Sequence, residues 1–223
     1  MSYLVIGDVH GCYHTLKKLI SENHDDEVII LLGDYIDRGY YVSKTLNYLH
    51  LLKTKHPNMI MLRGNHEQEF IELYSCYKAF GSIYETTLYN RYSFLKMDEC
   101  SPKTIYDFFS SLPLYYETDS FFASHAGVSK YPNNSKEPND PCGLLWNRMA
   151  LKALDKLQLH GHTPTLSGPL YNEISNSWNL DTGACFNGSL SAVKINEYGK
   201  IKKIIKVKTV PKDVGMESIY KDN

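Results

Sequence analysis

Short apolar runs of strand length alternate with amphipathic stretches along the first third of the chain. Tyr3 to Ile6, Val28 to Leu32 and Met59 to Leu62 read as strands. Between them, apolar residues at helical spacing predict two helices. Leu16, Leu19 and Ile20 mark one within Cys12 to Ser21, and Val42, Leu46, Leu49 and Leu52 mark another within Val42 to Leu52. A further helix is expected over Glu67 to Tyr77. The region from Lys78 to Tyr116 is dense in aromatic residues, with Gly81 and Pro102 as breaks. It is read as part of a helical insertion (about 67–116) that packs over one edge of the molecule, its aromatic stripe serving as core.

Strand patterns return afterwards: Phe121 to Ser124, Leu157 to Leu159 and Trp178 to Leu180. A loop rich in Pro, Asn and Asp spans Ser129 to Gly143. Leu190 to Ile195 and Lys200 to Val207 face each other across Asn196-Glu197-Tyr198-Gly199 as a hairpin. Alternation of Lys202, Lys206 and Lys208 with Ile201, Ile205 and Val207 marks a solvated edge strand. A single domain over 1–210 is expected, with 211–223 as a frayed tail.

Each early strand runs into a polar cluster bounded by glycine: Gly7-Asp8-Val9-His10-Gly11, Gly33-Asp34-Tyr35-Ile36-Asp37-Arg38-Gly39 and Gly64-Asn65-His66-Glu67. Strand, polar loop, helix is the order of an α/β enzyme, in which buried strands deliver functional residues at their carboxyl ends. Length and charge narrow the setting. The 223 residues suit one domain, and a net charge of −1 predicts no general attraction to nucleic acid or anionic membranes. No apolar run approaches the roughly 20 residues of a membrane helix. The N-terminus carries no basic leader, and the cysteines (12, 76, 100, 142 and 185) are odd in number and scattered. Reduced thiols in a cytoplasmic protein are expected.

The clusters hold ligands for hard or borderline divalent cations. Asp8 and His10, two apart on an extended segment, point the same way and reach one cation. Asp34, with two carboxylate oxygens, is placed to bridge two cations. Asn65 offers a neutral oxygen, and His125 and His162 offer nitrogens from separate strand ends. These make two incomplete shells sharing Asp34, in which ions about 3.5–4 Å apart would clamp an in-line displacement by a hydroxide held between them. Arg38 and Arg148 supply bidentate donors suited to phosphate oxygens, which turns a metal-dependent hydrolase into a phosphoester hydrolase.

These blocks, with Ser124-His125-Ala126-Gly127, Trp146-Asn147-Arg148, Gly161-His162-Thr163-Pro164 and Leu180-Asp181-Thr182-Gly183-Ala184 in order, resemble the calcineurin-like metallophosphoesterases. Within them the likeness is to the phosphoprotein-phosphatase branch: small bacterial and phage lambda-type serine/threonine phosphatases and their diadenosine tetraphosphatase relatives. The resemblance covers about Tyr3 to Val193. It implies an α/β fold, a sandwich of two mixed β-sheets flanked by helices, with the site at one edge. It also implies that Asp8, His10 and Asp34 hold one metal, and that Asp34, Asn65, His125 and His162 hold the other. His66 would be the general acid, oriented by Asp37, while Arg38, Asn65 and Arg148 bind the phosphoryl oxygens. Nitrogen and oxygen ligands without thiolate admit Mn²⁺, Fe, Zn²⁺, Co²⁺ or Ni²⁺; the resemblance favours Mn²⁺.

Other polar residues receive lesser roles. His160, two before His162, is a candidate to support a ligand. Asp181 is read either as an anchor for a ligand histidine or as a turn residue. Glu67 and Arg63 are expected to form structural salt bridges, and His14, His24, His50 and His56 to be solvated. No imidazole accompanies Cys142 in sequence, so no cysteine nucleophile is expected. A phosphoprotein is the preferred substrate. The alternative is a dinucleoside polyphosphate or nucleotide-cap hydrolase, prompted by Phe80-Gly81 and Thr87-Leu88-Tyr89 in the insertion. A metal-binding scaffold without activity is the third reading, disfavoured by the intact ligand set.

Overall fold

The structure, a computed structural model, describes residues 1–96, 101–132 and 137–215. Its elements run β1 (Ser2–Ile6), α1 (Tyr13–Asn23), β2 (Val28–Leu31), α2 (Val42–Lys55), β3 (Ile60–Met61), α3 (Asn65–Phe80), α4 (Ser82–Arg91) and α5 (Pro102–Ser111). There follow β4 (Tyr115–Glu117), β5 (Phe121–Ser124), β6 (Leu157–His160), β7 (Leu170–Asn172), β8 (Ser177–Asn179), β9 (Ser189–Asn196) and β10 (Ile201–Lys208).

The strands form two five-stranded mixed sheets, ordered β10-β9-β1-β2-β3 and β4-β5-β6-β8-β7. In the first, β1, β2 and β3 are parallel, β9 runs against β1, and β10, antiparallel to β9, runs the same way as β1; in the second, β5, β6 and β8 are parallel. The period of two decides what each strand face meets. Tyr3, Val5, Ile30, Leu32, Val193 and Ile195 of the first sheet pack against Phe121, Ala123, Leu157 and Leu159 of the second. Their neighbours Leu4, Ile6, Ile29, Leu31, Leu190 and Ala192 face the helices, against Leu16, Leu19, Leu49 and Leu52. Strands apolar on both faces thus read as continuous runs. The expected sandwich is what forms.

The aromatic stretch is core, as read. Phe70, Tyr74, Tyr92, Phe94 and Phe109 are buried where α3, α4 and α5 meet. Two differences stand out. β4 and β7 were not marked, because their side chains are mostly exposed and carry no apolar pattern. Pro211–Val214, read as the start of a frayed tail, instead forms a 3₁₀ turn whose Asp213 is fully buried. Asp213 accepts hydrogen bonds from the backbone N–H groups of His14 and Thr15, which pins the turn to the start of α1. Residues 216–223, Cys100 and part of the 129–143 loop lie outside the described residues. Cys12, Cys76, Cys142 and Cys185 are free.

Candidate metal centre and active site

The parallel strands end at one edge. From β1 come Asp8 and His10, from β2 Asp34, Asp37 and Arg38, from β3 Asn65 and His66, from β5 His125, and from β6 His162. The backbone is strained where these residues sit. His10 (φ 44°), Asp34 (54°), Asp37 (67°), Arg38 (69°) and His162 (70°) are all left-handed. Among the described residues, the other non-glycine positions with positive φ are Asn176 and Asn187, a residue type that tolerates it. Strain of this kind, of order 1–3 kcal/mol per residue, collects at functional sites. Two glycines let these carboxylates approach the chain: a Cβ on Gly161 would lie 2.0 Å from Asp8 Oδ1, and one on Gly64 would lie 2.2 Å from Asp34 Oδ1.

The Asp34 loop is held by Glu67. Its fully buried carboxylate accepts the backbone N–H groups of Asp34 (2.9 Å), Tyr35 (2.8 Å), Ile36 (3.3 Å) and Gly64 (3.0 Å). Burial, with the Asp34 charge, pushes its pKa up to about 7 against the pull of those bonds. The expected Glu67–Arg63 salt bridging does not occur. Arg63 donates instead to Gln68 Oε1 and to the carbonyls of Ser110 and Leu112.

Imidazole tautomers follow from the carbonyls they meet. His125 Nδ1 lies 3.0 Å from Leu32 O, and His10 Nδ1 2.9 Å from Ile36 O. A carbonyl only accepts, so both Nδ1 atoms carry the proton and both Nε2 atoms present lone pairs. His125 Nε2 faces Asn65 Oδ1 at 2.9 Å and His162 Nδ1 at 3.1 Å; His162 Nδ1 is 2.9 Å from the same oxygen. Asp34 spans both groups, with Oδ2 3.2 Å from His10 Nε2 and Oδ1 3.5 Å from His125 Nε2. Asp8 Oδ2 accepts the His162 N–H at 3.0 Å. Its Oδ1 and His162 Nε2 are buried without a hydrogen-bond partner.

Converging imidazole and amide lone pairs, with the buried Asp8 Oδ1 acceptor left unpaired beside them, are costly unless a cation lies among them. Nitrogen and oxygen donors of this set fit first-row divalent ions. Protonation agrees. Burial lowers His125, and burial with the neighbouring His125 charge takes His162 down to about 2, so both imidazoles are neutral as ligands must be. Burial alone would raise Asp34, yet His125 and His10 hold it well below the ordinary carboxylate value. Burial and the charges of Asp181 and Asp34 push Asp8 well above it, a penalty that a cation would relieve.

Among the described residues, two compact groups of potential ligand atoms, each within 4.8 Å of the others, share Asp34: His10–Asp34–His66 and Asp34–His125–His162; a third, nearer the surface, is Asp37–His66–Glu69. Asp8 stands outside the two that share Asp34, and His66 stands inside the first. His66 is also the centre of an ionic chain. Its Nδ1 lies 2.6 Å from Asp37 Oδ2, and its Nε2 3.1 Å from Arg38 Nη2. Arg38 Nη1 is 3.2 Å from His10 Nε2, and its guanidinium lies 5.3 Å from the Phe186 ring centroid. Arg148 is exposed, with Nη1 3.3 Å from Thr163 Oγ1. A cleft of about 660 Å³ adjoins Arg38, and one of about 400 Å³ adjoins Arg148.

His160 lines the Arg148 cleft and donates from Nδ1 to its neighbour's carbonyl, Gly161 O, at 3.2 Å; burial lowers it to about 4. It belongs to neither ligand group. Asp181 accepts the Gly183 N–H at 3.0 Å, the turn role. His14, His24 and His56 are half-buried rather than solvated. Sequence reasoning missed Arg91, at the end of α4, which donates to both Asp37 oxygens and to Glu69. Nothing in its neighbourhood along the chain marks it; only the fold brings it to Asp37.

Residues 1–205 match the family described as calcineurin-like phosphoesterase. A serine/threonine-protein phosphatase PP2A-like PPG1 of Candida albicans is 35% identical over 130 residues, 56% of this chain and 29% of that protein. The match therefore spans less than a third of that relative. Among solved structures, a Saccharomyces cerevisiae serine/threonine phosphatase with similarity to human PP5 superposes with TM-score 0.64 and 16% identity. That comparison covers 94% of this chain and 80% of that one. A candidate diadenosine tetraphosphatase superposes with TM-score 0.62 and 17% identity over 94% of this chain and 95% of that one. At such identities these two likenesses speak for the fold.

Proposed function

Because the chain belongs to the calcineurin-like phosphoesterases, a metal-dependent family of hydrolases acting on phosphoesters, we propose that it is a two-metal serine/threonine protein phosphatase. One observation carries the two-metal reading: Asp34 directs one carboxylate oxygen to His10 and the other to His125. Asp8, His10 and Asp34 would hold one ion; Asp34, Asn65, His125 and His162 would hold the other. When bound, such ions supply Lewis acidity toward the phosphoryl oxygens and activate water near neutral pH.

The chain's own groups do the rest. Arg38 and Arg148 grip the phosphoryl oxygens, with the Asn65 amide, and so orient the phosphorus for in-line attack. His66, its Nδ1–H donated to Asp37, offers Nε2 as the position from which a proton passes to the departing serine or threonine oxygen. Asp37, 2.6 Å from Nδ1, fixes the tautomer and orientation of the imidazole for this step. Mn²⁺ is the proposed ion. The protein-phosphatase assignment draws on the Candida albicans relative. A cytoplasmic setting is part of the same reading and draws on the free state of the four cysteines among the described residues. No described helix is long and apolar enough to cross a membrane.

A second reading, a dinucleoside polyphosphate or nucleotide-cap hydrolase, draws on the two clefts that flank the site, each entered past one arginine. Purified protein with Mn²⁺, assayed side by side on phosphothreonine peptides and diadenosine tetraphosphate, separates them. The protein-phosphatase reading expects the higher kcat/KM on peptides and loss of turnover on exhaustive chelation. A higher value on the dinucleotide reverses the assignment.

A further inference from the structure

The cleft of about 660 Å³ beside Arg38 is floored by the first turn of α2 and walled by the end of α4. Three cations line it: Arg38, Lys44 and Arg91. Their circumstances differ. Arg91 is satisfied by Asp37 and Glu69. Arg38 faces His10 and His66 and is assigned above to the reacting phosphate. Lys44 is exposed, with its ammonium 4.7 Å from the Tyr41 ring centroid, and no carboxylate pairs with it among the described residues. Asp37, the one carboxylate among the described lining residues, is already engaged by His66 and Arg91. In a chain of net charge −1, the cleft holds one cation more than the reacting phosphate and Asp37 require.

Resting on the protein-phosphatase reading, we propose that this cleft is a subsite for the peptide flanking the phosphorylated residue. Lys44 makes it selective for an acidic side chain there. An extended peptide advances about 3.3–3.6 Å per residue, so a cleft that begins at Arg38 lies within one or two residues of the scissile phosphate. Ser43, Asn47 and Ser93 in the same lining supply neutral hydrogen-bonding groups for its backbone. Charge complementarity of this exposed kind favours the right partner modestly and weakens with salt.

The test uses the full chain with Mn²⁺ and three phosphothreonine peptides: Asp on the amino side, Asp on the carboxyl side, or Lys on both. The parent should prefer one Asp peptide over the Lys peptide by about two- to fivefold in kcat/KM at low salt. Lys44→Glu should reverse that order, and Lys44→Ala, a second variant in case the charge swap impairs folding, should erase it. Turnover of p-nitrophenyl phosphate by the parent is measured alongside. If that ester is hydrolysed while all three peptides run equally, or Lys44→Ala keeps the parent's ranking, the subsite is overturned and the phosphoesterase reading stands. If diadenosine tetraphosphate outruns every peptide and Lys44→Ala depresses it selectively, the cleft holds a polyphosphate chain and the peptide subsite is overturned. If no phosphoester is hydrolysed, both readings fall.

Discussion

Arg91 grips Asp37 through both guanidinium nitrogens, Nη1 3.2 Å from Oδ1 and Nη2 3.0 Å from Oδ2. The same Oδ2 lies 2.6 Å from His66 Nδ1. Asp37 thus holds the imidazole through Oδ2 while a residue from α4 fixes both carboxylate oxygens. The pair also ties the aromatic helical layer to the loop that carries Asp34 and Arg38. Rigid support of this sort is what keeps a reacting group in productive geometry.

Arg91→Ala should therefore lower kcat on phosphothreonine peptides by about tenfold, while its effect on stability stays under about 1 kcal/mol because Arg91 is 43% exposed. Arg91→Lys should recover only part of the loss, since an ammonium cannot make the two-pronged contact. Rates of the two variants, compared at equal bound metal, decide the matter. Parent-like rates in both would show that Asp37 needs no help from α4.

Glu67 supports the site from beneath, with two oxygens accepting four backbone N–H groups. Glu67→Gln replaces one acceptor by an amide that faces donors, leaving buried N–H groups unpaired at about 1–3 kcal/mol. For a chain of this length each kcal/mol lowers Tm by about 2–4 °C. Metal content, measured by elemental analysis, should fall as well because Asp34 N–H is one of the four. An unchanged melt would mean that the loop holds its shape without the carboxylate.

How far the sequence reveals these features depends on whether the signal is local. The apolar runs before Gly7, Gly33 and Gly64 announce strands, and the glycines announce the tight loops, so the ligands could be placed at one sheet edge. The two-sheet sandwich is implied by the resemblance to the calcineurin-like metallophosphoesterases; the continuous apolar runs agree with it without dictating it. Glu67 was read as a salt-bridge former, because a carboxylate that accepts backbone N–H groups looks no different in sequence from one that pairs with Arg63. Arg91 and Asp213 act on residues 54 and 199 positions away. β4 and β7 carry no burial pattern to read.

Asp213 is the clearest of these distant contacts. The residue before α1, Cys12, provides no side-chain cap. Asp213 does so instead, with Oδ1 3.1 Å from His14 N and Oδ2 2.8 Å from Thr15 N and 2.7 Å from Thr15 Oγ1. Its own carbonyl accepts the Tyr40 N–H at 3.0 Å. Asp213→Ala should cost about 1–2 kcal/mol, the upper range for a lost cap, and truncation before Pro211 should cost more. Thermal melting of both variants checks it; equal Tm for all three proteins would show that the turn merely rests on the domain.

Metal content should separate the ligands from their neighbours. Asp34→Asn removes the charge shared by both groups and should reduce bound Mn²⁺ at both positions. His160→Ala should leave the stoichiometry near that of the parent, because His160 lies in the Arg148 cleft and in neither ligand group. Elemental analysis after dialysis measures both. Comparable metal loss in the two variants would place His160 among the groups that hold the centre.

His66 needs the sharpest test, since its Nε2 lies 3.9 Å from Asp34 Oδ2 and a ligand role is geometrically open to it. If it is the acid, His66→Asn should retain metal and lose about 10²–10⁴-fold on phosphothreonine. An alkoxide cannot leave without a proton, whereas p-nitrophenolate departs as a stable anion, so p-nitrophenyl phosphate should suffer much less. Asp37→Asn should show the same contrast more weakly, because Asp37 orients His66 without giving up a proton itself. The quantity measured is the rate of each variant over the parent on the two substrates at matched Mn²⁺ saturation. Equal losses on both, or metal lost from the His66 variant, would make His66 a ligand or a phosphate binder instead of the acid.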